Sequence, residues 1–348
     1  MITRNPMKRL VWVDMGKGIA MFLVILYHCE NSLRGEYTIE HYSMIYHPFF
    51  LPLFFFLSGY LFTSDLKSFS LQKKIEQILR GVVLPYFIFT SVILLPKSIF
   101  HSTPISNGIK EILLGQASWF IVSLGGAQLL FAFVLSKIRS LGILTTIACG
   151  CLVIGYVIKL LYPYKLPYCL NYCPIVYFWL YTGYLYRRIQ NPSMRPSLKY
   201  ICLTLLILVY ASLFFIDNIY FHTTLNLFES KILFYNNYIL SIIYSLLGIA
   251  MIIGLLRILP SINFIIFMGI NSLTIYYLNG GVCKIIALLI NKMDFFCHPR
   301  HTYIGVILTA ILCSLITSYM ADIIRHKFPL LVGDKVAYER FKRLLKLK

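Results

Sequence analysis

Apolar runs of roughly twenty residues, separated by short polar stretches, recur from residue 11 to residue 325. A helix rising about 1.5 Å per residue crosses the hydrocarbon of a bilayer in about twenty residues. The pattern predicts helices over 11–30, 46–64, 81–100, 112–136, 141–161, 173–187, 199–216, 237–258, 263–290 and 303–325. That is an all-α integral membrane protein, a single bundle of about ten transmembrane helices. Residues 66–80 differ: Leu71, Ile75, Ile78 and Leu79 recur at helical spacing with Lys73, Lys74 and Arg80 between them. This predicts an amphipathic helix lying in the membrane interface, and the tail 335–348 repeats that character. Polar connections over 31–45, with Glu30, Glu36 and Glu40, and over 217–236 are expected on the outer side.

Composition supports this picture. Of 348 residues, 59% are apolar or aromatic and only 13% are charged, so lipid must supply most of the solvent. The runs leave no room for a separate soluble catalytic domain, and the chain reads as one polytopic domain over 1–348. Its transmembrane region covers about 11–325 and its basic tail 326–348. The net charge of +19 is spread in short clusters between apolar runs, which argues against a nucleic-acid surface. With the N-terminus inside, 22 of the 32 lysines and arginines fall on the cytoplasmic side. The positive-inside rule therefore places both termini in the cytoplasm and requires an even number of spans. Asp14 and Lys17 interrupt the first apolar run, which reads as a retained helix and not as a signal peptide. The nine cysteines show no zinc-type spacing; they read as small buried apolar residues, and no metal is expected. Cys169 and Cys173 fall in a predicted outer loop, where an oxidising compartment would permit a disulfide.

The first helix carries the chemistry. Lys17 and His28 are eleven residues apart, which returns to the same face within about 20° after a rise of about 16 Å. Asp14 sits on nearly that face and is placed to pair with Lys17. A charge at the bilayer centre costs about 2.5–3.5 kcal/mol on insertion scales, so such groups face a bundle interior or a polar cavity. Asp14 and Lys17 read equally well as an interfacial pair that snorkels. His28 lies deep along an apolar helix and suits a general base, the other reading being a satisfied interhelical hydrogen-bonder. In the second helix, Pro48 and Pro52 disturb the backbone ladder, and Ser58-Gly59 permits close approach of a neighbour or contact with substrate. His47 enters that helix from the outer side.

Together these residues resemble the acyltransferase-3 membrane O-acyltransferases, which move acetyl groups onto sugars of bacterial surface polysaccharides, and especially their fucose 4-O-acetylase-like branch. The resemblance rests on Asp14-x-x-Lys17-Gly18-Ile19-Ala20 running to His28, on Pro52 through Leu61, and on Arg80 ahead of Pro85-Tyr86. It also rests on Trp119-Phe120 and on Asn271-Ser272-Leu273-x-Ile275-Tyr276. The chain departs from the family pattern at Phe50 and Asn279, where relatives often carry histidine, and at Lys17, where many carry arginine.

The resemblance implies acetyl-CoA as a cytoplasmic acyl donor, its phosphates met by Lys73, Lys74 and Arg80 and its pantetheine arm reaching toward His28. His28 then deprotonates the acceptor hydroxyl or holds the acetyl group transiently, while Lys17 and its partner Asp14 orient or neutralise donor charge. His47, Ser58, Tyr60, Trp119, Asn271, Ser272, Tyr276 and Asn279 are candidate cavity or substrate contacts. The expected function is O-acetylation of a glycan or glycolipid acceptor at the bacterial inner membrane, without nucleic acid and with no oligomeric state implied. The other readings are a transporter or flippase of lipid-linked saccharides, in which buried charges and kinked helices are equally at home, and a family member that has lost activity.

Overall fold

The computed structural model describes residues 10–33, 43–63, 65–101, 104–161, 166–190, 196–216, 238–292 and 303–346. Glu36, Glu40, Cys297 and the whole of the expected connection 217–236 lie outside the described residues. Every regular element described is helical. The order is α1 (Val11–Leu33), α2 (Ser43–Tyr60), α3 (Leu71–Ile78), a π-helical turn (Leu79–Val83) and α4 (Leu84–His101). Then come α5 (Ile105–Leu113), α6 (Trp119–Lys137), α7 (Leu141–Leu161), α8 (Cys173–Ile189) and α9 (Pro196–Ile216). The chain continues through α10 (Tyr238–Leu256), α11 (Asn263–Ile270), α12 (Ser272–Lys292), α13 (Tyr303–Lys327) and α14 (Lys335–Lys346). Among the described residues, eight helices are long and apolar enough to cross a membrane. Their outer faces carry residues such as Leu205, Leu208, Ile239, Ile304 and Leu308, all more than half exposed. Such surface is stable only with lipid as its solvent.

Three expected boundaries shift. The amphipathic segment is a helix, capped by Ser70, but it continues through the π turn into α4 instead of ending before it. The expected helix 112–136 is divided, because Gly115 adopts a φ of 69° and ends α5 before Trp119 opens α6. The expected helix 263–290 breaks at Asn271, with φ −102° and ψ 14°.

The chain divides into two compact units, one of Met1–Phe54 with Asn191–Ala321, the other of Phe55–Gln190 with Asp322–Lys348. In the first unit, α1 packs against α10, α11 and α12. Glycine allows its backbone to meet that of α11: a Cβ at Gly18 would collide with the Ile265 carbonyl, and one at Gly269 with the Asp14 carbonyl. Pro52 has no N–H, which frees the Pro48 carbonyl four residues earlier. Ser245 of α10 lies 2.6 Å from that carbonyl and 2.8 Å from its own Ser241 carbonyl. The second is an ordinary helical acceptor, so the single hydroxyl proton is best spent on Pro48.

In the second unit, α8 packs against α6 and α7 and buries Tyr177, Trp179, Tyr181 and Tyr184. The end of α2 crosses α8 at backbone contact: a Cβ at Gly59 would collide with the Leu180 carbonyl, and one at Gly183 with the Phe56 carbonyl. Packing thus accounts for Gly59. An apolar cavity of about 270 Å³ lies between α4, α6 and the turn before α8, lined by Val82, Tyr86, Gly125, Gly126 and Tyr168 among others. Cys169 and Cys173 are free thiols; the Cys169 Sγ is directed at the Gly115 carbonyl, 3.3 Å away.

Candidate functional site

The sequence-predicted residues fall into both units, and each set is described within its own. In the first unit α1 is one uninterrupted helix from Val11 to Leu33, so Asp14, Lys17 and His28 share one rod as their spacing requires. Asp14 is buried, while Lys17 and His28 are half-buried. His28 meets the edge of Tyr27, ring centroids 5.9 Å apart. The Tyr27 ring in turn lies 5.0 Å from His47 and 6.0 Å from Phe50, and His47 and Phe50 are 5.3 Å apart. One tyrosine is therefore flanked by both imidazoles. His47, a turn ahead of Phe50, shares its aromatic cluster.

What holds α2 at this register is a residue assigned from sequence to the outer connection. Glu30 is only 2% exposed. It accepts a hydrogen bond from Ser43 Oγ at 3.1 Å and one from the Tyr46 hydroxyl at 3.2 Å. Those donors sit in the first turn of α2, so the carboxylate fixes the helix that presents His47. Replacing Glu30 with alanine strands two buried hydroxyls and is expected to cost about 1.5–3 kcal/mol. The melting temperature should fall; Glu30→Gln, which retains an acceptor, should recover part of the loss. An unchanged melting temperature in Glu30→Ala would remove this role.

On α12, Asn279 is 1% exposed. Its amide nitrogen donates to the Tyr276 carbonyl at 2.5 Å, but its Oδ1 is buried without a hydrogen-bond partner. One turn later, Cys283 approaches the Ile25 carbonyl of α1 at 4.0 Å, so this face of α12 looks onto α1. Asn271 is buried at the α11–α12 break, and its side-chain nitrogen donates to the Phe267 carbonyl at 3.0 Å. It caps the end of α11. Ser272 and Tyr276 are half-buried on the first turns of α12.

The second unit gathers cations. Arg80 lies in the π turn, a rare geometry that recurs at functional sites. Its Nη1 is buried without a hydrogen-bond partner. Arg188, near the end of α8, likewise has Nε and Nη2 buried and unpartnered, and its guanidinium lies 5.1 Å from the Tyr184 ring centroid. An aromatic chain links this group to Lys74. Lys74 Nζ lies 4.0 Å over Phe62, the Phe62 ring lies tilted 4.7 Å from Phe131, and Phe131 lies 5.3 Å from Tyr184. The loop before α14 also closes on Arg80: a Cβ at Gly333 would lie 2.6 Å from its carbonyl.

Of the other expected contacts in this unit, Lys74, Tyr60 and Trp119 make hydrogen bonds or ring contacts. Lys74 donates to the Phe62 carbonyl at 2.7 Å, and Lys73 is exposed. Tyr60 is buried; its hydroxyl accepts from Gln190 at 2.6 Å and its carbonyl from Arg187 at 2.9 Å. Ser58 is half-buried. Trp119 opens α6 with its ring 5.3 Å from Tyr172. Arg187 and Arg188 escaped the sequence reading because a basic pair at a helix end is the ordinary topological signal, and nothing in the pair distinguishes a buried guanidinium from a solvated one.

Comparison with known proteins adds one finding. A family model described as an acyltransferase domain matches residues 10–319, nearly the whole described chain. No curated protein and no solved structure matches.

Proposed function

The chain belongs to the acyltransferase family matched over residues 10–319, and on that footing we propose that it moves an acetyl group from acetyl-CoA to a sugar hydroxyl. The acceptor is a glycan or glycolipid intermediate of a bacterial surface polysaccharide, and the place is the inner membrane. Within the family, the motifs from Asp14 to His28 and from Pro52 to Leu61 support the fucose 4-O-acetylase-like branch. Adding α2 and α8 to the eight membrane-length helices gives ten spans with both termini cytoplasmic, the arrangement that the distribution of lysine and arginine favours.

The donor assignment rests chiefly on one observation, the buried and unpartnered guanidinium nitrogens of Arg80 and Arg188. A buried guanidinium N–H without an acceptor is costly, and a phosphate oxygen removes that cost by charge-assisted hydrogen bonding. Lys73 is exposed on α3, the helix that leads into the turn carrying Arg80, and Lys74 anchors that helix. In the transfer step the thioester C–S bond breaks, the ester C–O bond forms, and the thiol leaves with the proton of the acceptor hydroxyl. His28 moves that proton, or takes the acetyl group itself before passing it on. Tyr27 and His47 complete the polar and aromatic setting of the imidazole, and Lys17 with Asp14 supplies the charge below it.

Arg80→Ala and Arg188→Ala are each expected to raise the KM for acetyl-CoA about tenfold or more while leaving kcat within about twofold, the signature of lost ground-state binding. Arg188→Lys should restore part of the affinity, since an ammonium keeps the charge but loses the fork. An unchanged KM in both alanine variants would overturn the donor assignment. Profiling surface-glycan acetylation in cells with and without the gene tests the acceptor class; identical acetylation in both would contradict it.

A further inference from the structure

Nine cysteines in 348 residues read individually as small apolar fillers, but three of them meet. Cys29 of α1, Cys283 of α12 and Cys313 of α13 are each 0% exposed. The Cys29 sulfur lies 3.4 Å from that of Cys283 and 3.6 Å from that of Cys313, and all three sulfurs lie within 4.8 Å of one another. The three thiols are free and come from positions 254 and 284 residues apart along the chain. Cys29 also stands between His28 and the anchoring Glu30, so the cluster ties α12 and α13 to the turn that carries the imidazole.

We propose that these three thiols form a trigonal site for a soft monovalent d¹⁰ cation, Cu(I), inside the first unit. Packing asks for small apolar volume, which alanine or valine would serve as well, and gives no reason for three sulfurs to converge. A disulfide needs two sulfurs, and the third, drawn in from α13, stays unaccounted for. Among the described residues the group contains no imidazole nitrogen or carboxylate oxygen. Structural zinc sites are closed by four ligands, thiolates among them, and this group offers three, whereas soft sulfur ligands suit Cu(I) and three of them satisfy it. With metal–sulfur bonds of about 2.3 Å, a trigonal set places its sulfurs about 4 Å apart, a small expansion from the contacts seen.

The protons balance simply. Uptake of Cu⁺ with release of one thiol proton leaves a neutral centre of one thiolate and two thiols, the form best suited to apolar surroundings; each further proton released adds one negative charge. The Cys29 sulfur already touches the other two, so the ion links α1, α12 and α13 where their side chains meet. This site stands independently of the acyl-transfer reading.

The test uses the full-length protein in detergent, reduced with a phosphine under anaerobic conditions and titrated with Cu(I) against bathocuproine disulfonate. One equivalent should be retained per chain, and X-ray absorption should show about three sulfur neighbours near 2.3 Å. Cys29→Ser, Cys283→Ser and Cys313→Ser should each weaken retention by more than about tenfold, the scale already set by loss of outer-shell groups at metal sites. Cys149→Ala, which removes an exposed thiol, should change nothing. Thermal unfolding of the wild type should shift upward with Cu(I), a readout independent of whether each variant folds. The proposal is overturned if the wild type loses all copper to the competitor, if its absorption spectrum shows nitrogen or oxygen neighbours in place of three sulfurs, or if removing Cys149 abolishes uptake.

Discussion

Replacing His28 with alanine is expected to lower acetyl transfer at saturating donor and acceptor by about a hundred- to ten-thousand-fold, the usual contribution of a positioned general base. The loss should appear in kcat, because the imidazole acts on the proton that moves in the transition state and does not hold the donor's anionic end. The variant should still insert and purify normally, since His28 is only half-buried and the contacts that fix α1 are made by Gly18 and Gly269 against other residues. His47→Ala should cost less: its ring contacts the same tyrosine but lies on the helix that Glu30 positions. Retention of activity in His28→Ala within about twofold of wild type would remove the imidazole from the chemistry and leave Tyr27 and His47 to be reconsidered.

Gly183→Val is expected to do the opposite, removing the protein and not merely its activity. A Cβ there runs into the backbone carbonyl of Phe56 and lies 2.9 Å from the amide nitrogen of Tyr60, and backbone atoms have no rotamer through which to yield. Overpacking ordinarily costs about 1–3 kcal/mol and more where nothing can move. A shift of this size across the α2–α8 crossing should abolish a monodisperse peak in detergent or lower the melting temperature by many degrees. Gly150→Val in α7 is the matched control, because a Cβ there meets nothing within 4 Å. Equal melting temperatures for the two variants would show that the crossing does not carry the stability assigned to it.

Much of this was legible in the chain, and the parts that were not share a physical cause. Apolar runs announced the helices because lipid imposes one length on anything that crosses it. The eleven-residue interval from Lys17 to His28 announced a face because a helix has a fixed pitch. Boundaries failed where a single backbone conformation decides: Gly115 with positive φ, Asn271 at its break, and the π turn around Arg80 leave the hydropathy unaltered. Glu30 was assigned to a loop because a carboxylate at the end of an apolar run ordinarily marks water, and only the approach of Ser43 and Tyr46 makes it an internal anchor. Arg188 was counted as topology, and Cys29, Cys283 and Cys313 as filler. Convergence of residues hundreds of positions apart leaves no local pattern to read. The family motifs supplied an expectation about donor and acceptor that periodicity alone does not contain.

The most direct check is transfer of radiolabelled acetyl from acetyl-CoA by the purified full-length protein, presented with glycolipid acceptor in vesicles. The account predicts label in the lipid-linked sugar, absent with His28→Ala and recovered for Arg80→Ala when donor is raised. Movement of the acceptor across the bilayer with no acetyl-CoA present, and no label in any sugar, would contradict it.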